Sequence, residues 1–280
     1  MSLSHTAEAP GSSSVGPVWR WHAGTGAVIW QLMFLDSGHP IGLKRLTAEH
    51  SFSMFCLDAD TGETLCDDFV LAPGDEEGIP VSEGWMYGLE TTHGGLVFCH
   101  GYLPGTPEHL GIWAVDLPGR RIVWSRPELV FAANLGSSFL VYRSRSFAGF
   151  PEREYSLLDP EMGAEIEHLG TGHERPNLLR SSALTEQVRQ AIVLPTACQE
   201  SGVAIEHIDS GSLRIEAHHR ASGEGGSWSS DISIMTGEEP VYREQMAVGS
   251  HWPLFDNFML KESRLYYIKN KEELVSVRIA

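Results

Sequence analysis

Basic residues are scarce in this chain. Lys and Arg together number 20 against 37 Asp and Glu, a formal net charge of −17. Phosphate backbones are gripped by a basic stripe, so the balance argues against nucleic acid as a partner. Long apolar runs are missing as well. The best stretch, residues 27–35, is broken by Gln31 and falls short of the roughly 20 residues of a membrane helix, so no membrane span is expected. Residues 1–17 hold no Lys or Arg and no apolar middle, which a secretory signal needs, and they read as a flexible tail. The four cysteines, Cys56, Cys66, Cys99 and Cys198, form no C-x-x-C pair. That removes a zinc knuckle and a redox motif, and leaves free buried thiols of a reducing cytoplasm. Helical periodicity is also rare, and the best candidate, residues 181–189, is short.

What the chain does have is short β-type runs cut by Gly, Pro and Asp. They lie at 51–57, 85–89, 96–102, 111–115, 138–143, 155–158, 202–208, 213–218 and 265–269. Short strands at this spacing mean an all-β sandwich, barrel or propeller. A repeated bend decides among them. It occurs at Asp58 to Gly62, Asp116 to Gly119, Asp159 to Gly163 and Met235 to Gly237, with a fragment at Thr25-Gly26. An Asp closing a strand accepts hydrogen bonds from turn N–H groups, and Gly supplies a positive φ. The four turn glycines lie 57, 44 and 74 residues apart, against roughly 40–50 residues for a four-stranded propeller blade. The first and last gaps therefore imply insertions.

Ala114-Val115-Asp116 followed by Trp124 resembles the A-x-D-x-x-T-G-x-x-x-W repeat of quinoprotein-like (PQQ-like) β-propellers. Trp30 keeps the Gly-to-Trp interval, Cys66 and Glu167 replace the Trp in two units, and Gly119 comes one residue early. Residues 107–116, with 51–58 upstream, also resemble an uncharacterised bacterial family of propeller-like proteins. The resemblance implies a propeller scaffold; it brings neither an activity nor a quinone, and no cofactor is expected. The expected fold is therefore an all-β propeller of five blades, or six if 170–201 forms an incomplete one, in a single domain over 18–280. The blades are drawn at about 33–71, 85–124, 129–169 and 202–248. The fifth joins 255–279 to an N-terminal strand from 18–33, closing the ring and removing its open edges.

Loops at 72–84, 103–109, 144–153, 170–201 and 221–227 should share one face, and long loops there suggest a binding surface. The candidate ligand-binding residues on it are Glu108, His109, Arg143, Arg145, Arg153, Trp85 and Trp252. A carboxylate beside an imidazole can tune a base, though adjacent residues on a strand point apart. The arginines, interleaved with Phe147 and Phe150, could grip an anion, or could pair with Glu152 and Glu154. His93, His100 and His109 show no ligand-type spacing, so no metal is expected. Asp58-x-Asp60-x-Gly62 is a turn, because Gly62 and Phe69 stand where a calcium loop needs ligands. Glu90, Asp231 and Asp256 are the acids that a carbohydrate-active site at a central channel would use. No G-x-S-x-G, H-E-x-x-H or phosphate loop is present. The sequence thus points to a binding scaffold that takes a protein or small-molecule partner on its loop face. The alternative is a carbohydrate-active hydrolase or lyase.

Overall fold

A computed structural model describes residues 15–72, 87–103, 105–171, 186–200, 203–222 and 226–279. Short alternating runs form strands throughout. Among the described residues the first strand is β1 (Pro17–His22), and the first sheet follows as β2 (Ala27–Phe34), β3 (Pro40–Leu46), β4 (Ser51–Leu57) and β5 (Thr64–Phe69). The second sheet is β6 (Tyr87–His93), β7 (Leu96–Tyr102), β8 (His109–Asp116) and β9 (Arg121–Arg126). The third is β10 (Val130–Asn134), β11 (Phe139–Phe147), β12 (Phe150–Leu158) and β13 (Glu165–Gly170). A one-turn helix, α1 (Glu186–Arg189), leads to β14 (Ile192–Val193). The fourth sheet is β15 (Thr196–Glu200), β16 (Val203–Ser210), β17 (Leu213–Ser222), β18 (Ser227–Thr236) and β19 (Glu239–Ser250). The fifth orders β14, β20 (Phe258–Lys261), β21 (Arg264–Lys269), β22 (Glu273–Arg278) and β1. The chain is therefore all-β, in five antiparallel sheets of four or five strands.

The expected N-terminal strand divides in two. Gly24 (φ 107°) and Gly26 (φ 75°) turn the chain, so β1 pairs with β22 while β2 opens the first sheet. The tail boundary also moves, since Val15 already packs against the core and Pro17 begins β1. Among the described residues, 170–201 forms no sixth sheet. β14 extends the fifth sheet and β15 the fourth.

Apolar faces stack sheet on sheet. Leu43, Met54 and Cys56 of the first meet Leu89, Val97 and Cys99 of the second. Phe98, Ile112 and Ala114 on the other face of the second meet Phe139, Val141 and Leu158 of the third. Ile215, Ile232 and Ile234 of the fourth meet Leu265, Tyr267 and Val275 of the fifth. Trp19, Trp21 and Tyr266 of the fifth meet Ile29, Phe34 and Phe55 of the first. Covering both faces explains why six of seven β4 residues are buried. Each large side chain so buried contributes roughly 1.5–3 kcal/mol.

The bends carry the expected chemistry, with one shift. Asp58 Oδ1 accepts from the Asp60 and Thr61 N–H groups, and Asp159 Oδ1 from those of Glu161 and Met162. Gly62 (φ 73°) and Gly163 (φ 67°) hold the left-handed position. In the Asp116 bend that position falls to Arg120 (φ 52°), because Gly119 comes one residue early. A second reason for glycine is contact. A Cβ on Gly62 would lie 2.6 Å from the Trp19 ring, and one on Gly163 2.6 Å from Trp124. The rings also donate to the bends, Trp19 Nε1 to the Ala59 carbonyl at 2.8 Å and Trp124 Nε1 to that of Pro160 at 3.1 Å. Trp30, which keeps the Gly-to-Trp interval of the repeat, is instead 58% exposed under Arg45.

The fourth and fifth sheets are further tied by Glu244. Its carboxylate accepts from Arg20 of β1, Lys269 of β21 and the phenols of Tyr242 and Tyr267. Burial alone would raise this carboxyl, but the donors outweigh it and hold it well below its ordinary value of 4.5. Burial, reinforced by Glu244, pushes Tyr242 up to about 12. A depressed carboxyl stabilises the fold above its ordinary value and loses that contribution as pH falls. Glu244→Gln should therefore melt below wild type at pH 7, and the gap should close as pH drops below about 4. Melting curves across that range check it.

Candidate functional site

The second sheet places a charged cluster on its face toward the third. Along β7, Phe98 packs against the third sheet, and alternation puts His100 and Tyr102 on the same face. Tyr102 pairs with His109 at the start of β8, so that ring joins them. Glu90 is the extra residue of a bulge in β6, between the pairs Leu89–Cys99 and Thr91–Phe98. A second irregularity lies opposite His100, where Cys99–Trp113 gives way to Gly101–Leu110 around Gly111 (φ 84°). Bulges re-aim side chains, and here both flank one cluster.

Glu90 Oε1 lies 2.7 Å from His109 Nδ1 and 2.8 Å from His100 Nδ1. The first contact is a hydrogen bond. The second is close but out of line for an N–H donor, so neither buried ring nitrogen of His100 has a hydrogen-bond partner. The imidazoles stack at 3.5 Å and 10°, and Tyr102 presents an edge to both. Room for His100 comes from Gly88, where a Cβ would fall 2.7 Å from the ring. Side-chain exposure grades outward, from 4% at His100 through 13% at Glu90 to 39% at His109. Burial alone would raise the Glu90 carboxyl, but the two imidazoles outweigh it and hold it below its ordinary value. The Glu90 hydrogen bond in turn raises His109.

Two sequence candidates border this cluster. Glu108 precedes His109 in the exposed connection, with its N–H bonded to Thr106 Oγ1. Arg153 lies 4.6 Å over the Tyr142 ring. Burial raises the Tyr142 hydroxyl, Arg153 lowers it, and the charges of Glu108 and Glu90 raise it further, so these groups share one field.

The other arginines do not form the expected loop cluster. Residues 144–153 are strands meeting at Ala148-Gly149, in the register Arg143–Glu154, Ser144–Arg153 and Arg145–Glu152. Alternation sends Arg143 and Arg145 to one face and Arg153 to the other. Arg143 pairs with Glu128 at 3.4 Å and Arg145 with Glu154 at 2.7 Å, both exposed. Trp252 is 76% exposed on a groove of about 590 Å³ shared with His251, Asn270 and Lys271, away from the Glu90 cluster. Trp85 lies outside the described residues. The acids proposed for a channel are separated: Asp231 on β18 pairs with Arg220 and Arg243, and Asp256 precedes β20.

A Ser–His–Glu arrangement exists in the fourth sheet. His219 Nε2 lies 3.0 Å from Glu206 Oε2, and its Nδ1 2.8 Å from Ser230 Oγ. Glu206 also accepts from the Asp256 N–H at 3.0 Å. All three residues are within 1% of full burial, so no substrate reaches Ser230, and the network is structural.

No helix among the described residues is long and apolar enough to cross a membrane. No protein-family profile and no curated protein matches the chain. Solved structures do. A glycoside hydrolase of the mannoside phosphorylase family GH130 that targets β-1,2 mannosidic linkages aligns at 9% identity and TM-score 0.32, over 91% of this chain and 84% of that one. A glycosyl hydrolase from Bacteroides ovatus aligns at 8% and 0.31, over 91% and 84%. An acylaminoacyl peptidase from Pyrococcus horikoshii aligns at 10% and 0.31, over 89% of this chain and 37% of that one. The functional reading accordingly rests on the chain's own residues.

Proposed function

We propose that the five sheets are the blades of a β-propeller closed by β1 on β22. The packing order supports it: fourth on fifth, fifth on first, first on second, second on third. So does the segment between the third and fourth sheets. Gln190 accepts from the Phe34 N–H of β2 and donates to Thr92 of β6, Lys261 of β20 donates to the Gln190 carbonyl, and Glu186 accepts from Thr91, which Asn134 of β10 also reaches. One short segment touching or bridging to the leading strands of four sheets is what a plug in a central channel would do. The unbonded thiols of Cys56, Cys66, Cys99 and Cys198 support a reducing compartment, the cytoplasm.

The working centre in this reading is Glu90 with His100 and His109, and the chain is a carbohydrate-active hydrolase or lyase. The observation that carries it is a carboxylate, 13% exposed, held at 2.7 and 2.8 Å by two imidazoles. Burying such a group is costly and packs nothing, which is the usual mark of a working site. The surrounding Tyr102, Tyr142, Arg153 and Glu108 combine aromatic rings with charges of both signs, a lining suited to a hydroxyl-rich ligand. The binding-scaffold reading has its own observation: Phe147 and Phe150 at the β11–β12 tip, and Trp252, are 69–76% exposed. Incubation with neutral and uronate-containing oligosaccharides, following new reducing ends and unsaturated products, separates the two. Turnover that falls about 10²–10⁴-fold in His109→Ala is expected. No turnover, or turnover unchanged in that variant, contradicts the enzyme reading.

A further inference from the structure

We propose that Glu90, His100 and His109 hold one divalent transition-metal ion of the zinc class. This rests on the same cluster being the working centre and adds the cofactor that makes it one. Two observations carry it. First, one carboxylate oxygen and two imidazole nitrogens lie within 4.8 Å of one another. A tetrahedral ion with bonds of about 2.0–2.1 Å sets its donors about 3.3 Å apart, so the 2.7 and 2.8 Å contacts need to open by only about half an ångström.

Second, His100 is 4% exposed, its Nε2 has no hydrogen-bond partner, and its Nδ1 meets only the Glu90 oxygen, out of line at 2.8 Å. A buried polar group so poorly bonded is costly. An ion in front of Nδ1 gives it the in-line partner that Glu90 does not. The two rings stack at 3.5 Å and 10° beside the same Glu90 oxygen, so at least one ring tilts for both in-plane lone pairs to meet one ion.

The donor set names the class. Two nitrogens and one oxygen suit zinc, cobalt or nickel, whereas calcium and magnesium demand oxygen cages. With three protein ligands and His109 39% exposed, the fourth position faces outward for water or substrate, as in catalytic rather than structural sites. The cluster escapes sequence inspection because its members stand ten and nine residues apart on three different strands.

The test is calorimetric titration of the untagged, chelator-stripped chain with Zn²⁺, and absorption spectra with Co²⁺. One equivalent per chain is expected, with the visible bands of tetrahedral Co²⁺. His109→Ala and Glu90→Gln should weaken binding by more than the roughly 10–100-fold that loss of an outer-shell partner costs. Both positions are less buried than His100, and matched melting curves of the stripped proteins confirm that the variants fold. No Zn²⁺ bound by wild type, or an equivalent bound equally well by both variants, overturns the site. Zn²⁺ binding without oligosaccharide turnover would leave the metal site standing and remove the carbohydrate reading. Turnover that depends on His109 without Zn²⁺ binding would do the reverse.

Discussion

Trp19→Ala should lower the free energy of unfolding by about 3–5 kcal/mol, the range for truncating a buried large aromatic, out of the roughly 5–15 kcal/mol that holds a typical domain together. Trp19 is 6% exposed, contacts Tyr266 at 5.9 Å and donates to the Ala59 carbonyl. It therefore joins the strand on the edge of the fifth sheet to the Asp58 bend of the first. Loss of the ring leaves a void over Gly62 and an unpaired carbonyl. Guanidinium unfolding reads the loss as a lower midpoint. Gly62→Ala provides the internal check, since its Cβ would meet that same ring and its φ of 73° is strained for alanine. Removing the ring relieves the clash but not the strain, so the double variant should lose less than the sum of the singles. Strict additivity would mean that ring and bend do not touch.

Glu206→Ala should be comparably severe, about 3–5 kcal/mol, because one deletion orphans two hydrogen-bonding groups held by a buried carboxylate, at about 1–3 kcal/mol each. Glu206 accepts from both His219 and the Asp256 N–H, and Glu206 and His219 are within 1% of full burial. Its removal orphans an imidazole and a backbone donor, and loosens the connection that carries the chain from the fourth sheet into β20. Ser230→Ala should cost far less, because His219 keeps its carboxylate. A Ser230→Ala loss equal to that of Glu206→Ala would show that the hydroxyl, not the carboxylate, anchors the network.

The strands were legible where chemistry is local. Residues 51–57 and 96–102 are β4 and β7 to the residue, and the aspartate bends at Asp58 and Asp159 form as their side chains require. Tertiary choices were not. Nothing local says that the chain between Trp21 and Ala27 leaves one sheet for another, nor that Trp19 rather than Trp30 is the packing ring. In the sequence Arg143, Arg145 and Arg153 look like one loop cluster because Phe147-Ala148-Gly149-Phe150 resembles loop interior, whereas it is the tip of a two-stranded hairpin. The Glu90 cluster is not legible as a whole. The Gly94-Gly95 turn sets His93 opposite Leu96, but counting back along both strands sets Glu90 opposite Cys99, on the face away from His100. The second hairpin pairs Tyr102 with His109 and so puts that ring on the face of His100. The bulge at Glu90, which aims its carboxylate at both rings, depends on packing from neighbouring sheets and leaves no pattern in the sequence.

Glu90, His100 and His109 are proposed as a working site and not a structural staple. Equilibrium unfolding of the chelator-stripped Glu90→Gln variant at pH 8 separates the two. Gln keeps the size and shape of the side chain, so the variant removes the carboxylate without opening a cavity. A loss below about 1 kcal/mol is predicted, since working residues are not chosen for stability. A loss of about 3–5 kcal/mol, as for a structural buried pair, would contradict it.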